Sequence, residues 1–228
     1  MSQKSALVRL VSAARLSVIS RAVAIVALAA CLPAGTAVAA PDYYNMLNGG
    51  SASNNYWDES YDGSGCVTCD YAALSGGSGD LTDGFIATSN WSVAEAPAGN
   101  GPYVGWQGGS RTITFHWNSP ISINSVTFYF DDSNNYGGVM PPASVVVNGL
   151  TYTITDPLAG APFAFTAVGV DFNNGTDLVV TINSQYGMKW IFLSEVEFNG
   201  VSNVSEPGTL ALLGLGLAGL ATIRRRKQ

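Results

Sequence analysis

The residues best suited to chemistry form one short run, Asp131-Asp132-Ser133-Asn134-Asn135-Tyr136-Gly137-Gly138. A sugar site needs an aromatic face for the C–H side of the ring and side chains that bond its hydroxyls. Tyr136 offers the first; Asp132, Asn134 and Asn135 offer the second. Gln185 with Tyr186 repeats the pairing, and Tyr56 with Trp57 does so earlier in the chain. Each set also reads as an ordinary solvated loop, and that alternative stays open. Trp91, Trp117 and Trp190 are assigned to the core, because strand alternation buries them.

Other reactive groups are sparse. His116 is the single histidine and falls on the outer face of a strand pattern; no Ser–His–acid or Cys–His set is readable. Carboxylates are numerous, so the inventory admits a two-carboxylate glycosidase. A domain of this size with mostly short loops leaves little room for a deep cleft, however, and the expectation is a protein that is not an enzyme. Cys66 and Cys69 are the only cysteines between residues 41 and 203. Zinc wants about four nitrogen or sulfur ligands, which one histidine and two cysteines do not supply. A local disulfide is the simpler outcome in an oxidising compartment.

The elements that must position these groups read as strands. In residues 111–117, Ile113, Phe115 and Trp117 alternate with Thr112, Thr114 and His116; residues 125–130 repeat the pattern with Val126, Phe128 and Phe130. Residues 144–147 and 150–155 are β-branched runs around Asn148-Gly149, the strongest short hairpin signal because both turn residues accept positive φ. Residues 163–170, 177–182 and 188–198 are further strands, with Gly175 and Gly187 in the breaks. No helical period is sustained. The pattern predicts an all-β fold, a β-sandwich or jelly roll, over residues 81–203, preceded by a loop-rich stretch over 41–80 with one or two short strands.

The two ends are different in kind. Lys4, Arg9, Arg15 and Arg21 precede an apolar run over residues 22–32, and Ala37-Val38-Ala39 supplies the small-x-small pattern of a signal peptidase site. Residues 1–40 therefore read as a secretory signal peptide. Leu28-Ala29-Ala30-Cys31 resembles a lipobox, which would make Cys31 a lipidation site instead. At the other end residues 208–223 are apolar, about 24 Å as a helix, and Arg224-Arg225-Arg226-Lys227 follows at once. A basic flank of this kind stays cytoplasmic. With both ends set aside, Arg111 and Lys189 are the only basic residues left, against nearly all of the acidic ones. That excludes nucleic acid as a partner, whose phosphates need a Lys/Arg footprint, and favours divalent cations.

Two resemblances follow. Val204-Ser205-Glu206-Pro207-Gly208 with the apolar run and Arg224, Arg225 and Arg226 resembles the PEP-CTERM sorting signal, with Ser205 where the family has its first proline. A plain membrane anchor is the alternative reading of residues 204–228. The resemblance implies an exosortase-type membrane transpeptidase as partner, transient inner-membrane association through the C-terminal helix, and passage through the periplasm of a Gram-negative bacterium to the cell surface or extracellular matrix. Within the domain, Leu81-Thr82-Asp83-Gly84 with Thr88 and Trp91, and the closing run from Trp190 to Gly200, resemble galactose-binding-like (discoidin, or F5/8 type C) modules. That resemblance implies a structural Ca²⁺ held by Asp83, Thr88 and Glu195 with loop carbonyls, and a polysaccharide as ligand. A non-binding structural surface protein is the alternative.

Overall fold

The computed structural model describes residues 40–50, 55–95, 101–185, 187 and 189–202. The chain divides into two compact units, Met1–Gly35 and Thr36–Gln228, and every described residue belongs to the second.

Alternating apolar residues produce antiparallel strands along almost the whole of this unit. They are β1 (Tyr43–Leu47), β2 (Ala73–Gly77), β3 (Val104–Gln107), β4 (Ser110–Phe130), β5 (Ser144–Val147), β6 (Leu150–Thr153), β7 (Phe163–Asn183) and β8 (Trp190–Ser202). A single-turn helix, α1 (Trp91–Ala94), and a 3-10 turn at Tyr136–Gly138 interrupt them. The Asn148-Gly149 turn forms as its composition predicts. Val147 pairs with Leu150 across it, and both turn residues have positive φ, 49° and 81°.

Strand lengths depart from the sequence reading. Residues 111–117 and 125–130 lie on one strand, β4, and residues 163–170 and 177–182 on another, β7. β4 and β7 pair from Ser110↔Asn183 to Phe130↔Phe163, with register shifts between His116, Ile121, Ile123 and Ser125. Pro120, which has no N–H to give a ladder, lies in the first gap. The breaks seen in sequence are thus bulges and a bend within continuous strands, not ends.

The bend makes the sandwich. The first half of β4 pairs with β1 and with the second half of β7, which continues to β5 and β6. The second half of β4 pairs with β8, which carries β3. Rings from the two leaves meet between them: Phe115 and Trp117 of the first leaf lie 4.8 and 5.1 Å from Phe198 of the second. Strands that switch sheets at bulges are the usual way such leaves are joined.

Residues 41–80 are more than a leader to this fold. Tyr44 and Met46 of β1 are buried in the main core. The buried Asn48 organises the loops behind it: its Oδ1 accepts from the backbone N–H groups of Gly49 and Asp58, and its Nδ2 donates to the carbonyls of Cys66 and Val67. Cys66 and Cys69 are joined in a disulfide.

Candidate functional site

The start of β8 is apolar on both faces. Ile191 and Leu193 enter the main core, while Trp190 and Phe192 enter a second cluster with Ala87, Tyr103 and Val139, against which Tyr56, Trp91 and Ala94 pack. Alternation normally leaves one face of such a strand polar. Here loops at one end of the sandwich cover the outer face and build a small aromatic core of their own.

Hydrogen bonds to buried side chains hold those loops. Asp131 Oδ2 accepts from the backbone N–H of Trp91 (3.0 Å) and from Ser133 Oγ (2.9 Å). Asn90 Nδ2 donates to Ser133 Oγ, the Asp132 carbonyl and the Gly160 carbonyl, at 2.9, 3.2 and 3.0 Å. Asp132 Oδ1 and Oδ2 accept from the N–H groups of Asn134 and Gly160. Asp132, expected to face a sugar, is therefore a strut: it is 0% exposed and both oxygens are taken by backbone donors. Asp131 is equally buried, and its Oδ1 has no partner among the described residues. Burial raises its pKa, partly offset by the Trp91 N–H and Ser133 bonds.

These struts set up an aromatic cleft of about 80 Å³ lined by Tyr56, Trp91, Gly137, Val139, Trp190 and Phe192. Tyr56 stands nearly perpendicular to Trp190 (89°) and Trp91 (78°), with centroids 5.2 and 5.7 Å away. Trp91 lies closer to parallel with Phe192 on one side (23°, 5.7 Å) and Tyr136 on the other (30°, 6.1 Å). Tyr136 is 67% exposed, and Trp91 is half-buried. Trp91, assigned to the core in sequence, is in fact the ring that joins core to solvent. Its Nε1 is a donor without a partner among the described residues. The cleft is well below the ~300–1,000 Å³ of an engulfing pocket. It suits a ring laid on a platform.

Gly137 is built into the platform. Its φ is +61°, and a Cβ there would lie 2.3 Å from Trp91 Cζ2. Gly137→Ala is expected to push the indole aside and cost about 1–3 kcal/mol, read as a lowered melting temperature and a shift in tryptophan emission.

The other sugar-site expectations fare unequally. Asn134 and Asn135 both have positive φ, 46° and 69°. Asn134 Nδ2 reaches the Leu158 carbonyl at 3.4 Å, and Asn135 Oδ1 accepts from Lys189 Nζ. Both are exposed beside Tyr136. Gln185 is half-buried, with an Oε1 that has no partner among the described residues. Trp57 turns elsewhere, its Nε1 donating to Asp70. Tyr186, Cys31, the signal peptide and the sorting residues Ser205, Glu206, Pro207, Arg224, Arg225 and Arg226 lie outside the described residues. His116 sits on the outer face, its Nδ1 2.7 Å from Asp177 Oδ1 and its ring stacked on Tyr43.

The opening loop and the closing strand do meet. The Val196 N–H donates to the Leu81 carbonyl (2.9 Å), the Gly84 N–H to Glu195 Oε2 (2.8 Å) and the Ala87 N–H to Ser194 Oγ (3.3 Å). Glu195 is buried, and desolvation pushes its pKa up to about 8, with Asp83 adding repulsion against the pull of the Gly84 N–H. Asp83 and Thr88 are exposed; Asp83 Oδ1 accepts from the Phe85 N–H. Thr82 Oγ1 is buried without a partner among the described residues. A short distance away in the same acidic field, burial raises Asp80 to about 7, helped by Asp58, which accepts from the Tyr44 hydroxyl. Among the described residues, no three Asp, Glu, His or Cys side chains converge on a point. A cation here would take carbonyls for most of its ligands.

The comparisons with known proteins bear on different parts of the chain. Residues 203–227 match the PEP-CTERM protein-sorting motif. The motif implies export, processing by an exosortase and sorting to the surface of a Gram-negative bacterium. No curated protein matches the chain in sequence. Among solved structures, the chain is similar to the lectin domain of lectinolysin complexed with Lewis B antigen, at 12% identity and a TM-score of 0.37, covering 54% of this chain and 83% of that one. It is also similar to the catalytic domain of a GH87 α-1,3-glucanase in complex with nigerose, at 12% identity and a TM-score of 0.34, covering 77% of this chain and 31% of that one.

Proposed function

We propose that this protein is displayed at the bacterial surface and binds carbohydrate at the aromatic cleft without turning it over, its partner being the exopolysaccharide of the cell's own matrix. The observation that carries the reading is the Trp91–Tyr136 pair, half-buried ring on exposed ring, fixed through the Asp131 bond to the Trp91 N–H. Trp91 packs on the second core, while Tyr136, stacked on it, is 67% exposed and belongs to neither core. Asn134 and Asn135, exposed beside Tyr136, would bond hydroxyls around it, with Gln185 as a further candidate. The scarcity of basic residues, Arg111 and Lys189 alone between residues 41 and 203, favours a neutral sugar over an anionic one.

Calcium belongs to the same proposal, as a structural ion. Glu195 is a buried carboxylate with no Lys or Arg partner among the described residues, Thr82 Oγ1 is a buried oxygen without a partner among them, and Asp83 lies one residue from the Gly84 N–H that Glu195 holds. Asp83, Thr88 and Glu195 with nearby carbonyls would hold the ion, which wants six to eight hard oxygens. It would neutralise the buried charge and tie the loop before Trp91 to β8.

The secreted protein lacking both end segments is suited to the test, because every core residue among those described lies between Tyr44 and Phe198. Saturable binding on a polysaccharide panel is the expected result. No binding to any member, with or without calcium, would overturn the carbohydrate reading and leave an inert surface scaffold.

A further inference from the structure

β8 runs from the aromatic cleft to the sorting motif. Trp190 lines the cleft; twelve residues on, at about 3.3 Å each, Ser202 pairs with Ile121 at the bend of β4. The motif begins at residue 203, with no linker between. Glu206 is four residues beyond Ser202, so even a fully extended chain places it at most about 14 Å from the strand end. A transpeptidase that works at this motif is far wider than that reach. Its surface must meet the pole of the sandwich around Ser202.

That pole carries a groove of about 490 Å³, much larger than the aromatic cleft, lined by Ser122, Ile123 and Asn124 of β4 and by Gly169, Val170, Asp171 and Asn173 of β7. It arises from a bulge: between the pairs Ile123↔Phe172 and Ser125↔Val168, three residues of β7 stand opposite Asn124 alone. Gly169, with φ of +73° and open space at its Cβ, permits the turn outward. Val201 and Gly200 pair with Ser122 and Ile123, so the groove adjoins the last residues before the motif. Its rim is polar, with Asn124, Asp171 and Asn173 exposed, as suits a surface engaged only during processing.

We infer that this groove is the seat of the exosortase-type transpeptidase on the folded domain, so that the enzyme reads the pole of the sandwich as well as the tail. The inference rests on the sorting reading of residues 203–227. It also sets the display geometry: the processed end and the aromatic cleft occupy opposite poles, and the cleft faces away from the attachment.

The test is pulse-chase maturation of the full-length precursor in a producing cell. Asn124→Arg with Asn173→Arg is expected to slow conversion at least about fivefold, because two long charged side chains obstruct the groove against which the enzyme must seat. Val93→Arg, equally exposed but at the cleft pole, should mature at the wild-type rate. A ten-residue Gly-Ser spacer between Ser202 and Asn203 should restore the double variant, which also shows that it folds. Wild-type maturation of the double variant would overturn the inference while leaving the sorting reading intact. A wild-type precursor that is never processed would overturn both.

Discussion

Raising the pH from 5 to 9 without divalent cations should destabilise the domain by on the order of 4 kcal/mol. Most acidic proteins with paired carboxylates behave the opposite way in the lower part of this range. The source is Glu195. Its pKa is about 8 in the folded protein against an ordinary 4.5, because β8 and the 81–88 loop remove it from water and supply no cation. The folded state therefore keeps a proton that the unfolded chain gives up. The favourable share is complete below pH 4.5 and is lost as pH rises through about 8. Each tenfold change in proton affinity between the two states is worth about 1.4 kcal/mol, and solvent screening at the rim of the site takes a share of the total. Asp80, raised to about 7, and Asp58, Glu95 and Asp131, all raised by burial, act in the same direction. Calcium should reverse much of the loss at pH 9, by about 2.7 kcal/mol at a hundred times its Kd. Glu195→Gln should flatten the pH slope and abolish the calcium response. Thermal melts across pH, with calcium and with chelator, read all of this. Stability that is level or rises from pH 5 to 9 would contradict the buried, uncompensated Glu195; an unchanged melt at millimolar calcium would contradict the ion.

Truncating one exposed ring should remove most of the glycan affinity. Tyr136→Ala is expected to weaken binding about 30-fold, near 2 kcal/mol, as for the central aromatic of an interface. Its side chain is mostly in solvent and holds no part of the core, so the melting temperature should stay within a degree or two. Tyr136→Phe keeps the ring over Trp91 and should bind within about threefold of wild type. Equal loss in both variants would place the hydroxyl, rather than the ring, at the centre of recognition. Affinity unchanged by Tyr136→Ala would move the site away from the cleft.

Much of this architecture was legible in the residues. Period-two alternation located the paired cores of β4, and Asn148-Gly149 located a hairpin whose turn has the φ angles those residues tolerate. The continuity of β4 through Pro120 was not legible, because a proline without a ladder bond marks a bend and an end alike. The site was half legible. Tyr136 stood out as an aromatic in a polar run, and it is exposed at the cleft. Asp132 stood beside it with the right chemistry, but spacing does not reveal that its two oxygens close backbone turns at Asn134 and Gly160. Trp190 was read as core and is buried, though in the second cluster, whereas Trp91, read as core from the same alternation, is only half-buried. The run Trp190-Ile191-Phe192-Leu193 carries the missing signal: four consecutive apolar residues on a strand require a second layer over the outer face. In this protein that layer is the cleft.

The most direct measurement is a titration followed by nitrogen-15 NMR of the tryptophan indole N–H groups, using the polysaccharide fragment that binds best in the panel. Trp57 and Trp106 donate to Asp70 Oδ1 and to the Leu47 carbonyl, and their signals should stay fixed. The Trp91 and Trp190 signals should move together and saturate, with loss of the response in Tyr136→Ala. Saturable binding in which those two signals remain still would contradict a carbohydrate site at the aromatic cleft.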